Sequence, residues 1–511
     1  MRPRSTPPRS FSLSRLRLFA TSLLLFVFAA AVAHAVDTVP VPITAKELSQ
    51  GFRDRTLLAK PRATHRATAD ADESRERVRV RTRFSHLHDI RVIELAEDDP
   101  ESVTAAIARL AATGRYEFVE PDRIHQLAAT PNDTSFATQW PLNNTGQSGG
   151  IPGADIKATA AWDIIREAPG VVVAVVDSGL NLTHQDLAPN LWVNPLLSTA
   201  NDRHGANFVG GRGNLVNGNP TDESGHGTHV AGIIGAVGNN ALGTAGIAWK
   251  VQLMAIKVFP ATGGASVSDI AAGINYAISR GAHIINASYG DTGGVGFSQT
   301  ELSAVTSARE AGVIFVAAAG NDGANMDVAR HYPASFPLDN IVTVGSTTRS
   351  ETVATSSNFG TAVDLLAPGD SILSLNYTNN TGTTLMSGTS MAAPHVTGAL
   401  ALLKARFPAD SYRQLINRLL RGADVIPRYA GKSQNGSRLN LLGALSTTNN
   451  RPFNDDFASR ARLAGNNFLV RSNNAGATAE SGEPASTVGA ATTSLWWEWT
   501  PATTAAVRLT T

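Results

Sequence analysis

From about residue 131 onward, short apolar or β-branched runs alternate with patterns of helical period. The runs are 171–176, 251–257, 283–287, 313–317 and 341–344, and helical spacing marks 267–280 and 301–311 between them. Strands that are apolar at almost every position, separated by helices, predict an α/β unit whose parallel sheet is covered by helices on both faces. Such a sheet carries its chemistry on loops beyond the carboxyl ends of its strands.

The chain before this unit has a different pattern. Residues 78–84 alternate like a strand, 90–95 form a second strand, and 116–120 form a third, stopped by Pro121. Between the last two, Val103, Ile107 and Leu110 fall at helical spacing behind Ser102, which is placed to cap the helix. These elements predict a small α+β unit. Residues 36–80 are rich in Arg, Ala and Thr without a period, and read as linker.

At the amino end, Arg2, Arg4, Arg9, Arg15 and Arg17 precede an apolar run over 23–33, followed by Ala33-His34-Ala35. A positive start, a short apolar centre and Ala-x-Ala describe a secretory signal cleaved after Ala35. The run is too short to span hydrocarbon, which takes about 20 residues. No later stretch is apolar enough to do so, and the expected location is extracellular. At the other end, 449–460 are polar and mark a boundary. Residues 461–511 are rich in Ala, Thr, Asn and Gly, carry Trp496, Trp497 and Trp499, and read as the start of an all-β unit. The expected divisions are 1–35, 36–130, 131–448 and 449–511.

Composition narrows the function classes. The 511 residues carry a net charge of +1, with 42% hydrophobic and 17% charged residues, which is a globular composition. The chain has no cysteine. That excludes disulfides, thiol nucleophiles and thiolate metal sites. Residues 131–511 hold slightly more acidic than basic side chains, so a nucleic-acid partner is not expected.

Candidate chemistry sits where the sheet pattern predicts it. The apolar run at 171–176 ends in Asp177-Ser178-Gly179. His226-Gly227-Thr228-His229 opens an apolar helix, and Gly388-Thr389-Ser390 opens another. A serine hydroxyl is a poor nucleophile until an adjacent base takes its proton, and histidine has the suitable pKa. The histidine in turn needs a buried carboxylate to fix its tautomer. Asp177, His226 and Ser390 can fill these roles, in the chain order known for subtilisin. Asn321, in Gly320-Asn321-Asp322 after a strand, can donate to an oxyanion together with the Ser390 N–H. Each residue alone would pass for a strand cap or a core histidine; the joint pattern does not. His226-x-x-His229 lacks the glutamate and the i,i+4 spacing of a zinc protease. Asn286-Ala287-Ser288-Tyr289-Gly290 misses the first glycine of a Gly-x-Ser-x-Gly elbow. His229 and His395 read as structural.

Over residues of about 135–447, the motifs Asp177-Ser178-Gly179, His226-Gly227-Thr228-His229, Gly320-Asn321 and Gly388-Thr389-Ser390-Met391-Ala392-Ala393-Pro394 resemble those of the subtilisin-family serine endopeptidases. The resemblance implies Asp177 as orienter, His226 as general base and acid, Ser390 as nucleophile and Asn321 as oxyanion donor. It implies substrate contacts from Ser288, Tyr289 and Gly290 on one side and from Ala318, Ala319 and Gly320 on the other, with His331 at the pocket floor. It implies a structural calcium ion held by Gln139, Asp186, Asn240, Leu242 and Thr244, mostly through carbonyls in the loop; the alternative there is a plain Asn-Gly turn with a solvated aspartate. The α+β unit resembles the family's inhibitory propeptide, an intramolecular inhibitor removed by self-cleavage near Ala129. The mature chain would then begin near Pro131-Asn132-Asp133 and act on protein or peptide substrates. Residues 454–457 and 494–500 resemble the opening of a β-sandwich module appended to secreted bacterial proteins, expected here to be incomplete. The alternative for the whole is a catalytically silent, subtilisin-like binding or surface-attachment protein.

Overall fold

The computed structural model describes residues 52–500 apart from 97–99, 124–129, 197–200, 292–295, 464, 466, 482 and 484–492. The signal expected over 1–35 and the cleavage expected near Ala129 lie outside the described residues. The chain divides into two compact units, residues 1–127 and 128–511.

The first unit is a four-stranded antiparallel sheet in the order β2-β3-β1-β4, with strands β1 (Phe52–Pro61), β2 (Val78–Phe84), β3 (Ile90–Leu95) and β4 (Tyr116–Arg123). Helix α1 is Ala69–Arg75 and helix α2 is Val103–Ala112; the latter is capped as expected, Ser102 accepting the Ala105 N–H at 3.2 Å. Leu57, Ile93, Ala106, Ile107 and Leu110 form its core.

The linker reading of 36–80 is corrected over its described residues, 52–80. Residues 52–61 form an inner strand of this sheet, and 69–75 form a helix. The strand escapes a pattern search because Arg53, Asp54, Arg55 and Lys60 break up its apolar run in the sequence. The helix is polar and is held from outside. Its Glu73 meets the buried Arg91 of β3 at 2.6 Å, and Asp89 holds the same guanidinium at 2.7 Å. A buried charge persists only when paired and hydrogen-bonded in this way.

The second unit is built on a nine-stranded sheet in the order β14-β15-β11-β10-β9-β8-β5-β7-β6. In chain order the members are β5 (Glu167–Asp177), β6 (Gly205–Asn207), β7 (Lys250–Lys257), β8 (Ile284–Ala287), β9 (Ile314–Ala318), β10 (Ile341–Thr347), β11 (Leu365–Pro368), β14 (Asp424–Val425) and β15 (Ser437–Arg438). All neighbours are parallel except the β14–β15 edge. A separate hairpin joins β12 (Ile372–Leu375) to β13 (Thr383–Met386).

Strand β5 shows why the runs read as continuously apolar. Val171, Val173 and Val175 enter one core layer, while Val172, Ala174 and Val176 enter the other. The first layer contains helices α3 (His226–Gly235), α6 (Thr389–Arg406) and α7 (Tyr412–Arg421). The second contains α4 (Val267–Ser279) and α5 (Gln299–Glu310). Helix α6 is apolar on nearly every side and is buried from Thr389 to Leu403 except at Ser390. A helix hydrophobic all round belongs inside a core.

The carboxyl-terminal part also differs from expectation. Among the described residues its strands are β16 (Ala461–Leu463) and β17 (Trp497–Trp499), paired in parallel, rather than a sandwich. Residues 467–475 instead run as a strap along the sheet unit. Asn467 Nδ2 donates to the Asp327 carbonyl, Leu469 N–H to Thr361, and Asn417 Nδ2 to the Ala475 carbonyl. Arg471 is buried in the core, where it donates to the carbonyls of Ala334 (2.6 Å) and Ala362 (2.5 Å), to Thr343 Oγ1 (2.8 Å) and to Asp364 Oδ2 (2.8 Å). Asp455, within the polar boundary stretch 449–460, is fully buried and pairs with Arg451 at 2.8 Å. Replacing Arg471 with Ala should lower stability by about 3–5 kcal/mol, because the buried Asp364 carboxylate loses its charge partner and keeps only the Thr343 N–H, while the Ala362 carbonyl loses the guanidinium donor. Denaturant unfolding of the two proteins measures it; an unchanged midpoint would show that the strap carries no stability.

Candidate active site

Asp177 is the last residue of β5 and is buried. Its two carboxylate oxygens lie 2.8 and 2.9 Å from His226 Nδ1, and Oδ1 also accepts the Ser178 N–H at 2.7 Å. His226 opens α3 with its side chain 34% exposed, so one edge of the ring meets solvent. The close approach depends on Gly227, since a Cβ there would lie 2.2 Å from the Gly179 carbonyl oxygen. Burial acts to lower the His226 pKa, but the charge and hydrogen bond of Asp177, with Asp222 behind them, outweigh it and hold the value above the ordinary 6.5.

Asp222, which sequence reasoning passed over, organises this corner. It accepts the Ser224, Gly225 and Thr228 N–H groups, each at 2.9 Å, and the Ser178 hydroxyl at 2.8 Å. Ser178 Oγ accepts the Gly227 N–H at 2.9 Å, which ties the strand end to the helix start. The signal was an aspartate just ahead of a helix amino end, a capping pattern.

Ser390 lies in the first turn of α6. Its hydroxyl donates to the Ser288 carbonyl at 3.1 Å, and Ser288 Oγ donates to the Ser390 carbonyl at 2.9 Å. Asn321 Oδ1 accepts the Thr389 N–H at 2.9 Å and its hydroxyl at 3.2 Å, which leaves Nδ2 as the end available to a ligand. Among the described residues no hydrogen bond joins His226 to Ser390; such contacts are often loose without substrate and tighten in the complex.

Two cavities meet at Tyr289. One of about 310 Å³ is bounded by Asp177, His226, Phe259 and Ser288. The other, about 160 Å³, is bounded by Ser390, Asn321, Gly320, Gly290 and Ala318, with His331 among its walls. Thus Ser288, Tyr289 and Gly290 continue from the end of β8, and Ala318, Ala319 and Gly320 from the end of β9, to flank the space beside Ser390. His229 and His395 are buried donors instead. His229 Nε2 meets the Ile372 carbonyl at 3.0 Å and His395 Nδ1 the Met391 carbonyl at 2.8 Å; burial pushes both pKa values down to about 4.

The residues expected to hold calcium are only partly gathered. Asp186 is buried, and burial pushes its pKa up to about 6. It accepts Asn240 Nδ2 at 2.7 Å and the Thr244 N–H at 2.9 Å. Leu242 donates its N–H to Asn240 Oδ1 at 2.9 Å. Gln139 has a different role. Its Nε2 donates to the Ala245 carbonyl at 2.9 Å and its Oε1 accepts the Ala245 N–H at 2.8 Å, so it fastens the segment to the loop. The second carboxylate is Asp133, buried, with Oδ2 on the Asn239 N–H and Oδ1 without a partner; its charge helps to raise the Asp186 pKa. A buried, unpartnered carboxylate oxygen near a second carboxylate suits a hard cation with oxygen ligands.

A carboxylate–imidazole pair at the carboxyl edge of a parallel sheet, with a serine at a helix amino end lining the adjoining cavity, defines a class, the serine hydrolases of α/β fold. Comparison with known proteins narrows that class. The model of the Subtilase family matches residues 168–455, and the chain belongs to that family of serine endopeptidases. It is 36% identical over 326 residues to the cell wall-associated protease of Bacillus subtilis, a match covering 63% of this chain and 33% of that protein. It is 40% identical over 264 residues to Subtilisin Savinase of Lederbergia lenta, covering 52% and 87%. Over 439 residues it is 33% identical to an extracellular protease of Xanthomonas campestris pv. campestris, covering 78% and 72%. Among solved structures, a protease from Pseudoalteromonas arctica aligns with a TM-score of 0.52 at 28% identity, over 62% of this chain and 99% of that one. Among the described residues no helix is long and apolar enough to cross a membrane.

The three histidines should separate in an NMR titration. His226 should titrate above 6.5, while His229 and His395 stay neutral down to about pH 4. Asp177→Asn should bring the His226 value down; an unmoved value would deny the carboxylate its role.

Proposed function

We propose that this chain is a secreted serine endopeptidase, made as a self-processing precursor, that cleaves peptide bonds through Asp177, His226 and Ser390. The observation that carries the reading is the Asp177–His226 pair at 2.8 Å, opening onto a cavity that borders the one containing Ser390 and Asn321.

An extended substrate lies between the segments 288–290 and 318–320, pairing its backbone with theirs. His226 Nε2 takes the proton from Ser390 Oγ as that oxygen bonds to the scissile carbonyl carbon. The carbonyl oxygen gains the negative charge and accepts from Asn321 Nδ2 and the Ser390 N–H at the amino end of α6. The C–N bond then breaks, His226 passes its proton to the leaving amine, and an ester remains on Ser390. Water hydrolyses that ester by the same steps, with His226 again as base. Asp177 stays ionised and holds the imidazolium that forms in each half.

The α+β unit of residues 52–123 acts as an intramolecular inhibitor removed by cleavage near Ala129, and the segment 1–35 directs export. Calcium binds at Asp186, Asn240 and the carbonyls of Leu242 and Thr244, with Asp133 in the place first given to Gln139. The partnerless Asp133 Oδ1 supports that change. An ion held there would supply positive charge to the buried Asp133 and Asp186 carboxylates.

Ser390→Ala should reduce turnover by about 10⁶, and Asn321→Ala by about 10²–10³. The Ser390→Ala protein should also retain its amino-terminal unit, visible as a precursor band on a gel. Peptide hydrolysis at the normal rate in Ser390→Ala would end the mechanism. For the metal, a chelator should lower the unfolding temperature of the mature protein. Calcium at a hundred times its dissociation constant stabilises by about 2.7 kcal/mol. The effect should vanish in Asp133→Asn and Asp186→Asn but survive in Gln139→Glu. A chelator without effect on the native chain would remove calcium from the account.

A further inference from the structure

The cavity beside Ser390 contains a second aspartate–histidine pair that the mechanism above does not use. His331 is buried, 6% exposed, and its Nδ1 lies 3.2 Å from Asp291 Oδ1. Asp291 is itself anchored, its Oδ1 accepting the Tyr332 N–H at 2.6 Å and its Oδ2 the Gly296 N–H at 2.7 Å. The opposite edge of the imidazole faces the two walls of the cavity. A Cβ built on Gly290 would lie 2.1 Å from His331 Nε2, and one built on Gly320 would lie 2.8 Å from it. Both walls must therefore be glycine for the ring to stand there.

This arrangement sets the polarity of the cavity. The partner of one ring nitrogen determines which nitrogen carries the proton. The Asp291 carboxylate, 3.2 Å from Nδ1, favours the proton on that nitrogen, which leaves Nε2 to present a lone pair between the walls. Burial holds the pKa of His331 below its ordinary value against the opposing charges of Asp291 and Asp322, so the ring stays neutral at pH 7 and above. Asp291 and Asp322 also line the cavity, and its lining contains no lysine or arginine. Apart from Asn321, Thr389 and Ser390 at the reaction centre, the polar groups there are a hydrogen-bond acceptor and two negative charges.

We infer that His331 and Asp291 make this cavity selective for a substrate residue, on the acyl side of the cleaved bond, whose side chain ends in a hydrogen-bond donor. An amide such as glutamine fits, with its N–H₂ on Nε2. A glutamate of the same shape is rejected, because its carboxylate meets a lone pair and two carboxylates, with no cationic side chain to pair it. A site built to accept a hydrogen bond discriminates strongly against a group that cannot donate one. His331 and Asp291 touch or orient the substrate side chain and not the reacting atoms, so they are specificity and positioning residues. The inference rests on the hydrolase reading above and adds to it the class of residue that is cut.

The experiment compares two peptides that differ only in glutamine or glutamate at that position, with kcat/KM measured on the mature enzyme at pH 8. Labelling of Ser390 by a fluorophosphonate is measured in parallel. The native enzyme should label and should prefer glutamine by at least about tenfold. His331→Lys places an ammonium group at the floor and should reverse the order towards glutamate. His331→Leu removes the lone pair and should shrink the ratio while Asp291 and Asp322 still disfavour glutamate. Equal rates for the two peptides, or an unchanged ratio in a His331→Lys protein that still labels, would overturn the inference and leave the hydrolase reading standing. A native enzyme that fails to label would remove both.

Discussion

The short contact between Asp177 and His226 is the constraint on which the site depends. A carboxylate can be buried at the end of a central strand only if its charge is met by hydrogen bonds. Asp177 meets that demand with the Ser178 N–H and the His226 ring. Everything around the pair keeps the helix start close to the strand end. Gly227 leaves room for the approach, Ser178 bridges strand to helix, and Asp222 gathers the N–H groups of the turn. The demand of a buried charge therefore orients the imidazole before any substrate arrives, and orientation in advance is what a general base requires.

The other half of the site is positioned by packing rather than by charge. Helix α6 runs through the core with apolar residues on nearly every side, so its axis is set by contacts with the strands of the sheet. Ser390 is the polar residue that this burial delivers to the cleft. Its neighbours are held by reciprocal bonds, Ser288 with Ser390 and Thr389 with Asn321, which join three loops at the sheet edge into one surface. Loops 288–290 and 318–320 are short extensions of adjacent parallel strands, and so they arrive side by side. The strap at 467–475 reaches the same region from behind, where Arg471 holds the Ala334 and Phe336 carbonyls just beyond His331.

The legible elements share one property. Strands β5, β7, β8, β9 and β10 are buried on both faces, so their apolar runs lie bare in the sequence, and helices α4 and α5 start behind serine caps at Ser266 and Ser298. The missed elements draw their stability from elsewhere. Strand β1 carries four charges and depends on its neighbours on both sides. Helix α1 is polar and depends on Arg91. The two-residue strands β14 and β15 are too short for any pattern. Asp455 reads as solvent-facing until Arg451 and Thr478 are seen to close over it.

For the site, the residues that would perform chemistry were readable because their types and chain order are dictated by the reaction: a nucleophile, a base, an orienting carboxylate and an amide donor, each at a strand end or helix start. The residues that support them were not readable, because support is a matter of contact. Asp222, Asp133 and Asp291 are ordinary aspartates in loops until the fold brings a helix start, an unpartnered carboxylate or a buried imidazole against each. Sequence alone determined the layered fold and singled out the candidate reacting groups, since periodicity and reaction chemistry act on residue type. Tertiary structure alone decided which carboxylate faces which partner and which nitrogen of His331 looks into the cavity. Those outcomes depend on distances across the fold, and no local pattern encodes them.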